Sequence, residues 1–214
     1  LAIDKELSKK IFIKNNILTP KYLKFSYRNN INKSKLINNL KKKIGFPLVV
    51  KPLNEGSSVN VFICSKNNVL KTLSKLKEYG EILIEKYIPG REIQVAILAN
   101  KVLGAIELIP TRKFYDYEAK YNPKARTEHV IPVKISKNKY QEITKIALKA
   151  HKILKCRGVT RSDFRYYKNS FYLLETNTQP GMTSLSLVPE IANFNNITFK
   201  NLIKKILKDA SINK

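Results

Sequence analysis

The chain has 214 residues, 43% of them hydrophobic and 27% charged, and a formal net charge of +25. That apolar share supports one or two packed domains and excludes a disordered chain, while the longest apolar runs, such as 95–99, fall well below the roughly 20 residues of a membrane-spanning helix. Two cysteines, Cys64 and Cys156, without a CxxC pair or a histidine cluster, argue against a disulfide framework and a structural zinc site, so a reduced, cytoplasmic setting is expected. The chain starts at Leu1 rather than at Met, and no charged-then-apolar targeting pattern follows; an absent N-terminal portion of a longer protein is expected. The positive charge has two readings. It points to an anionic partner such as nucleic acid, or it reflects A/T-rich codons, because 34 of the 41 basic residues are lysine and Asn and Ile are also abundant. The lysines are scattered along helices and turns and do not form one basic arm, which favours solvated helix faces.

In chain order, the spacing predicts a helix over 4–14, an extended passage over 17–25, and a helix capped by Ser34 with Leu36, Ile37, Leu40 and Ile44 on one face, stopped by Gly45. Strands are predicted at 48–51 and 59–64, a helix through Val69, Leu73 and Leu76 closed by Gly80, and a strand at 82–88. Residues 92–98 alternate with period two, Ile93, Val95 and Ile97 against Glu92, Gln94 and Ala96, so a half-buried strand is expected, turning at Asn100 into a second strand over 102–109. Residues 113–126 lack periodicity at a length where a structureless loop is usually functional. A long helix follows through Tyr140, Ile143, Ala147 and Ala150, then strands at 159–167 and 171–177, and a last helix capped by Thr198. The fold class read from this order is α+β. Pro89-Gly90 divides it into two units, 1–88 and 89–214.

Two stretches carry chemistry. If Lys168-Asn169-Ser170 is a three-residue hairpin loop, Tyr167 pairs with Phe171. Counting back then sets Asp163 opposite Glu175 and Arg161 opposite Asn177. Opposed carboxylates repel. Either a hard cation offsets them, for which Asp, Glu and Asn oxygens suit Mg²⁺, or the strands form a charged ladder compensated by Arg161 or Arg165. The second stretch, 51–58, joins two predicted strands. Backbone N–H groups around Gly56 and the serine hydroxyls can cradle phosphate, with Lys51 adding charge, although a plain hairpin turn fits equally.

Several strings in series resemble the ATP-grasp superfamily and, within it, the D-alanine–D-alanine ligases: Asp4-Lys5, Val50-Lys51-Pro52 with Glu55-Gly56-Ser57-Ser58, Glu85-Lys86-Tyr87-Ile88 before Gly90-Arg91-Glu92, Tyr115-Asp116-Tyr117-Glu118-Ala119-Lys120-Tyr121, Arg161-Ser162-Asp163, Glu175-Thr176-Asn177-Thr178-Gln179-Pro180-Gly181-Met182-Thr183, and Ser186-Leu187. The resemblance implies an ATP-grasp fold of two α+β subdomains, 1–88 and 89–214, whose antiparallel sheets sandwich ATP. It implies that Lys5 and Lys51 contact phosphates, that Glu85, Lys86, Tyr87 and Ile88 read the adenine edge, and that Glu92 holds the ribose. It implies Mg²⁺, or Mn²⁺ in its place, on Asp163, Glu175 and Asn177. Arg161 and the backbone of Gly181 would stabilise an oxyanion. Ser57, Lys120 and Tyr121 would close a loop over the substrates, with 113–126 as the lid. Ser186 and Leu187 would hold the second D-alanine.

The implied activity is ATP-dependent joining of two D-alanines through a D-alanyl phosphate, for peptidoglycan precursors, in a cytoplasmic homodimer that needs neither nucleic acid nor membrane. The family's N-terminal domain has no counterpart here, so weak nucleotide binding and little dipeptide formation are expected of this piece alone. Asn60 stands where the phosphate loop usually has glycine, and a positive φ there is expected to be tolerated. Arg165 stands where an apolar residue often packs near the adenine. A D-alanine–D-lactate ligase, an inactive ATP-grasp remnant and a basic nucleic-acid module are the competing readings; the Glu118–Tyr121 string favours the amine-using ligase.

Overall fold

The computed structural model describes residues 2–28, 32–56, 59–110, 127–183 and 185–210. Its first part is an antiparallel sheet of four strands, β1 (Tyr22–Ser26), β2 (Leu48–Pro52), β3 (Phe62–Cys64) and β4 (Glu81–Lys86), in the order β1-β4-β2-β3. Two helices, α2 (Lys33–Lys43) and α3 (Val69–Lys75), pack on it through Leu36, Leu40, Val69 and Leu73 against Leu48, Val50, Ile82 and Ile84. The cap of α2 differs from expectation. Asn32 accepts from the N–H groups of Ser34 and Lys35 at 2.9 and 3.3 Å, so the helix begins one residue before Ser34. Asn is about as good an N-cap as Ser. Strand β3 is also shorter than predicted, because the loop after β2 extends to residue 61.

The second part is an antiparallel sheet of five strands, β5 (Arg91–Leu98), β6 (Lys101–Ile109), β7 (Glu128–Val130), β8 (Val159–Tyr167) and β9 (Ser170–Asn177), in the order β7-β6-β5-β8-β9. One face packs on α4 (Lys137–Ile153) through Ile93, Val95, Ile97, Phe164, Phe171 and Leu173. The N-terminal helix α1 (Lys5–Lys14) and the turn after it lend Phe12 and Ile17 to this same core. The other face packs on α5 (Leu187–Phe194) and α6 (Phe199–Asp209), through Ala96, Leu98 and Ile106 against Val188, Ile191 and Leu202. The expected half-burial of residues 92–98 is therefore corrected: every residue of that strand from Glu92 onward is buried, because α4 covers Ile93, Val95 and Ile97 on one face, while on the other α5 and α6 cover Ala96 and Leu98 and Arg165 pairs with Glu92.

The β8–β9 hairpin reaches its predicted register by an unpredicted route. The turn has two residues, not three: Lys168 and Asn169 both have positive φ (46° and 61°), and Ser170 pairs with Tyr167. That is the two-residue turn whose twist suits a hairpin. One residue fewer in the turn would set Asp163 opposite Leu174. A bulge between the Asp163 and Phe164 pairs inserts Leu174 as an extra residue, and Asp163 again faces Glu175. Below the bulge Phe171 and Leu173 point to the α4 core; above it Glu175 and Asn177 sit on the opposite face, with Asp163 and Arg161.

Candidate functional site

Where the two sheets meet, a cleft of about 760 Å³ including its open mouth is lined by Lys5, Lys51 and Glu85 on one wall and by Glu92, Asp163 and Glu175 on the other. Residues 86–88, where the chain passes from one sheet to the other, and the loop residues Glu55 and Gly56 also line the cleft.

The first wall is cationic. Asp4 caps α1 by accepting from the Leu7 N–H at 2.9 Å, and the helix turns Lys5, Ser8, Lys9 and Phe12 inward. The Lys5 ammonium donates to the carbonyls of Leu53 (3.3 Å) and Glu55, tying the helix start to the loop after β2. Lys51, on the central strand β2, donates to Oε1 of Glu85 at 2.6 Å. Lys9, fully buried, pairs with the other oxygen, Oε2, at 2.8 Å, and donates to Thr19 Oγ1 at 2.7 Å. Burial alone would push the Glu85 carboxyl up, but Lys51 and Lys9 outweigh it and hold the pKa at about 2. Burial pulls Lys5 and Lys9 below the ordinary lysine value, partly offset by Glu175 and Glu85 respectively. Lys51 is also pulled down by burial, yet Glu85, Glu175 and Asp163 together leave it raised.

The second wall is acidic. Asp163 is buried and accepts two hydrogen bonds from Arg161, Nε to Oδ1 at 2.8 Å and Nη2 to Oδ2 at 2.9 Å. The compensating arginine foreseen for a charged ladder is thus present at Asp163, and Glu175 stands directly across the strands. Asn177 Oδ1 accepts from the Gln179 N–H at 2.9 Å and opens the loop leading to α5. In that loop Ser186 Oγ lies 3.0 Å from the Thr183 N–H, which donates to it, and a Cβ at Gly181 would come within 2.7 Å of the same oxygen. Glycine is needed there for that close approach, so the structure brings Gly181 and Ser186 together, with Leu187 beginning α5. Among the described residues no three His, Cys, Asp or Glu side chains converge on a metal position; the candidate set is two carboxylates and one amide.

At the linking segment, Lys86 Nζ donates to the carbonyls of Gly45 (3.2 Å) and Phe46 (2.7 Å), and the Tyr87 N–H donates to Pro47 O at 3.2 Å. Both lock the segment to the start of β2, while Ile88 also lines the cleft. Gly90 has φ +101°, and a Cβ there would strike the Tyr166 carbonyl. Glu92 is buried and pairs with Arg165 Nη2 at 3.1 Å, whose Nη1 donates to Gly90 O at 3.0 Å. Arg165 therefore sits in the cleft wall as one half of an ion pair. Asn60 adopts the positive φ expected of it, 54°, and its amide donates to the Tyr79 hydroxyl at 2.6 Å.

Ser57, Lys120 and Tyr121, and all of the 113–126 stretch, lie outside the described residues. Two residues went unnoticed in the sequence. Lys9 follows Lys5 by one helical turn, and the inward stripe 5, 8, 9, 12 has the i, i+3, i+4, i+7 spacing of a core face occupied by lysines. Gln94, opposite Asp163 on β5, is fully buried with neither amide atom hydrogen-bonded; its sequence signal was only its place in an alternating strand.

Comparison with known proteins gives a consistent result. The family model described as "D-ala D-ala ligase C-terminus" matches residues 11–208. A curated D-alanine–D-alanine ligase of Pelagibacter ubique is 65% identical over 214 residues, covering 100% of this chain and 70% of its own length. The crystal structure of D-alanine–D-alanine ligase from Bacillus anthracis complexed with ATP superimposes with a TM-score of 0.81 at 30% identity, covering 97% of this chain and 65% of that one. The VanG D-Ala:D-Ser ligase of Enterococcus faecalis does so with a TM-score of 0.83 at 25% identity, covering 97% and 61%. The chain thus spans about two thirds of the length of these relatives.

Proposed function

The chain belongs to the D-alanine–D-alanine ligase family, and from that premise we propose that it carries the ATP-binding part of an ATP-dependent, ADP-forming ligase that joins two D-alanines. The observation that carries the reading is the register across the bulge, which faces Asp163 with Glu175 on the cleft wall opposite Lys5 and Lys51. We read residues 1–88 and 89–214 as two subdomains closing on the nucleotide.

In this reading Lys5 and Lys51 bind the phosphates, the segment from Glu85 to Ile88 reads the adenine edge, and Glu92 takes the ribose hydroxyls. The all-oxygen set of Asp163, Glu175 and Asn177 suits a hard cation, so these residues would hold Mg²⁺, or Mn²⁺ in its place. Such an ion supplies charge neutralisation at the phosphoryl oxygens. The carboxylate of the first D-alanine attacks the γ-phosphorus, ADP leaves, and an acyl phosphate results. The amine of the second attacks the acyl carbon and inorganic phosphate leaves. Arg161, fixed through two hydrogen bonds to Asp163, and the Gly181 N–H face the oxyanion of that second step. Ser186 and Leu187 hold the second carboxylate. Ser57, Lys120 and Tyr121 close over the substrates, since an acyl phosphate must be kept from water. Most of the acceleration comes from positioning and electrostatics.

The reading extends to a cytoplasmic homodimer supplying peptidoglycan precursors, without nucleic acid; among the described residues no helix is long and apolar enough to cross a membrane. The test is Glu175→Gln in the protein as its gene encodes it. ATP-dependent phosphate release with D-alanine should fall by at least about 100-fold with the thermal midpoint nearly unchanged. Undiminished release would overturn the assignment. Product analysis with D-alanine alone, then with added D-serine or D-lactate, identifies the second substrate.

A further inference from the structure

Lys9 is the buried charge that this mechanism leaves without a task. It does not line the cleft. Its ammonium is held by Glu85 Oε2 at 2.8 Å, by Thr19 Oγ1 at 2.7 Å, and by the Tyr22 ring, whose centroid is 5.7 Å away. A buried ion pair is a poor device for stability alone, because an apolar pair of similar volume often serves as well. The explanation lies in the charge count across Glu85. Lys51 reaches the cleft, but its ammonium is 2.6 Å from a Glu85 oxygen. Taken alone, that pair is neutral and offers an anion little. With Lys9 on the second oxygen the trio carries one net positive charge, and of the three residues Lys51 and Glu85 line the cleft while Lys9 does not.

We infer that Lys9 is a positioning residue for the nucleotide: it takes up the second half of the Glu85 carboxylate so that Lys51 keeps a net positive charge, at a fixed place, for the phosphates. The inference rests on the reading of the cleft as an ATP site and adds a residue to it. A merely structural Lys9 would support the whole cleft. A charge-balancing Lys9 acts on phosphate and leaves the nucleoside untouched. The two accounts therefore separate by ligand.

The experiment measures the affinities of ATP and of adenosine for the full chain by calorimetry. Lys9→Met keeps the side-chain volume and removes the charge. It should lower ATP affinity on the order of tenfold, an effect of one charge at short range in a partly solvated site, with adenosine affinity unchanged. Lys9→Arg should retain the wild-type ratio of the two affinities. The double variant Lys9→Met/Glu85→Gln, which again leaves Lys51 as the trio's one net charge, should restore that ratio. It also decides the matter if Lys9→Met alone fails to fold, since it carries no uncompensated carboxylate. Parallel loss of ATP and adenosine affinity in Lys9→Met, or a double variant that still discriminates against ATP, would overturn the inference. A wild-type chain that binds adenosine and ATP equally would overturn the cleft reading itself, a distinct outcome.

Discussion

The two walls of the cleft are built on opposite principles. On the four-stranded side the charges are closed into a saturated buried network, with Glu85 clamped by Lys9 and Lys51 and Lys5 tied to two carbonyls. On the five-stranded side the carboxylates stand on neighbouring strands of one hairpin, and their alignment depends on a single extra residue, Leu174. The first wall is fixed by electrostatics and the second by backbone register. A charge network fails by degrees as its members titrate. A register fails all at once, because a shift of one residue sends every side chain to the other face.

The largest expected effect breaks the register. Inserting one alanine between Asp163 and Phe164 gives Leu174 a partner and straightens the bulge, which would carry Asp163 and Glu175 to the face occupied by Phe164 and Leu173, where α4 packs. Stability should drop by about 4 kcal/mol, the scale at which a buried charge or a disrupted core is felt, and the rise in thermal midpoint on adding Mg²⁺ and ATP should vanish. Leu174→Ala, which keeps the residue count, should retain that rise. If the insertion variant still responds to nucleotide, the bulge does not set the site.

The charge wall is tested by acid. The Glu85 carboxyl is held down at about 2 from an ordinary 4.5, so its contribution to stability is complete above pH 4.5 and lost as the pH falls through about 2. The shift corresponds to about 3 kcal/mol. Denaturant titrations of wild type and Glu85→Gln should show the variant less stable at pH 7, with the gap narrowing as the pH falls from 4.5 toward 2. A gap that stays constant would show that the lysine clamp contributes nothing.

The smallest effect lies within the acidic wall. Gln94, facing Asp163 across β5 and β8, buries an amide with no hydrogen-bond partner among the described residues. Gln94→Leu should raise stability by about 1 kcal/mol, since it removes unsatisfied polar atoms while keeping much of the volume, and a thermal midpoint higher by about 2–4 °C would register it. A loss of stability would mean that the amide is engaged.

The sequence by itself determined much of the element order and the composition of the site. The helix cap at Thr198, the stops at Gly45 and Gly80, and the turn at Asn100 all rest on local backbone chemistry that neighbouring residues encode directly. The strings around Lys51, Asp163 and Glu175 named residues that do line one cleft. Tertiary structure decided what depends on distant partners. Burial of Glu92 came from its ion pair with Arg165 on the neighbouring strand, and burial of Ala96 and Leu98 from α5 and α6, which pack over that face of β5. The ion pairs of Glu85 with Lys9 and Lys51 join α1, β2 and β4, and no local spacing encodes them. The hairpin shows the division most clearly. A two-residue turn and a one-residue bulge together give the same register as the three-residue loop read from the sequence, because pairing is a sum over the hairpin, and only the packing of Phe171 and Leu173 on α4 determines where within that sum the extra residue falls.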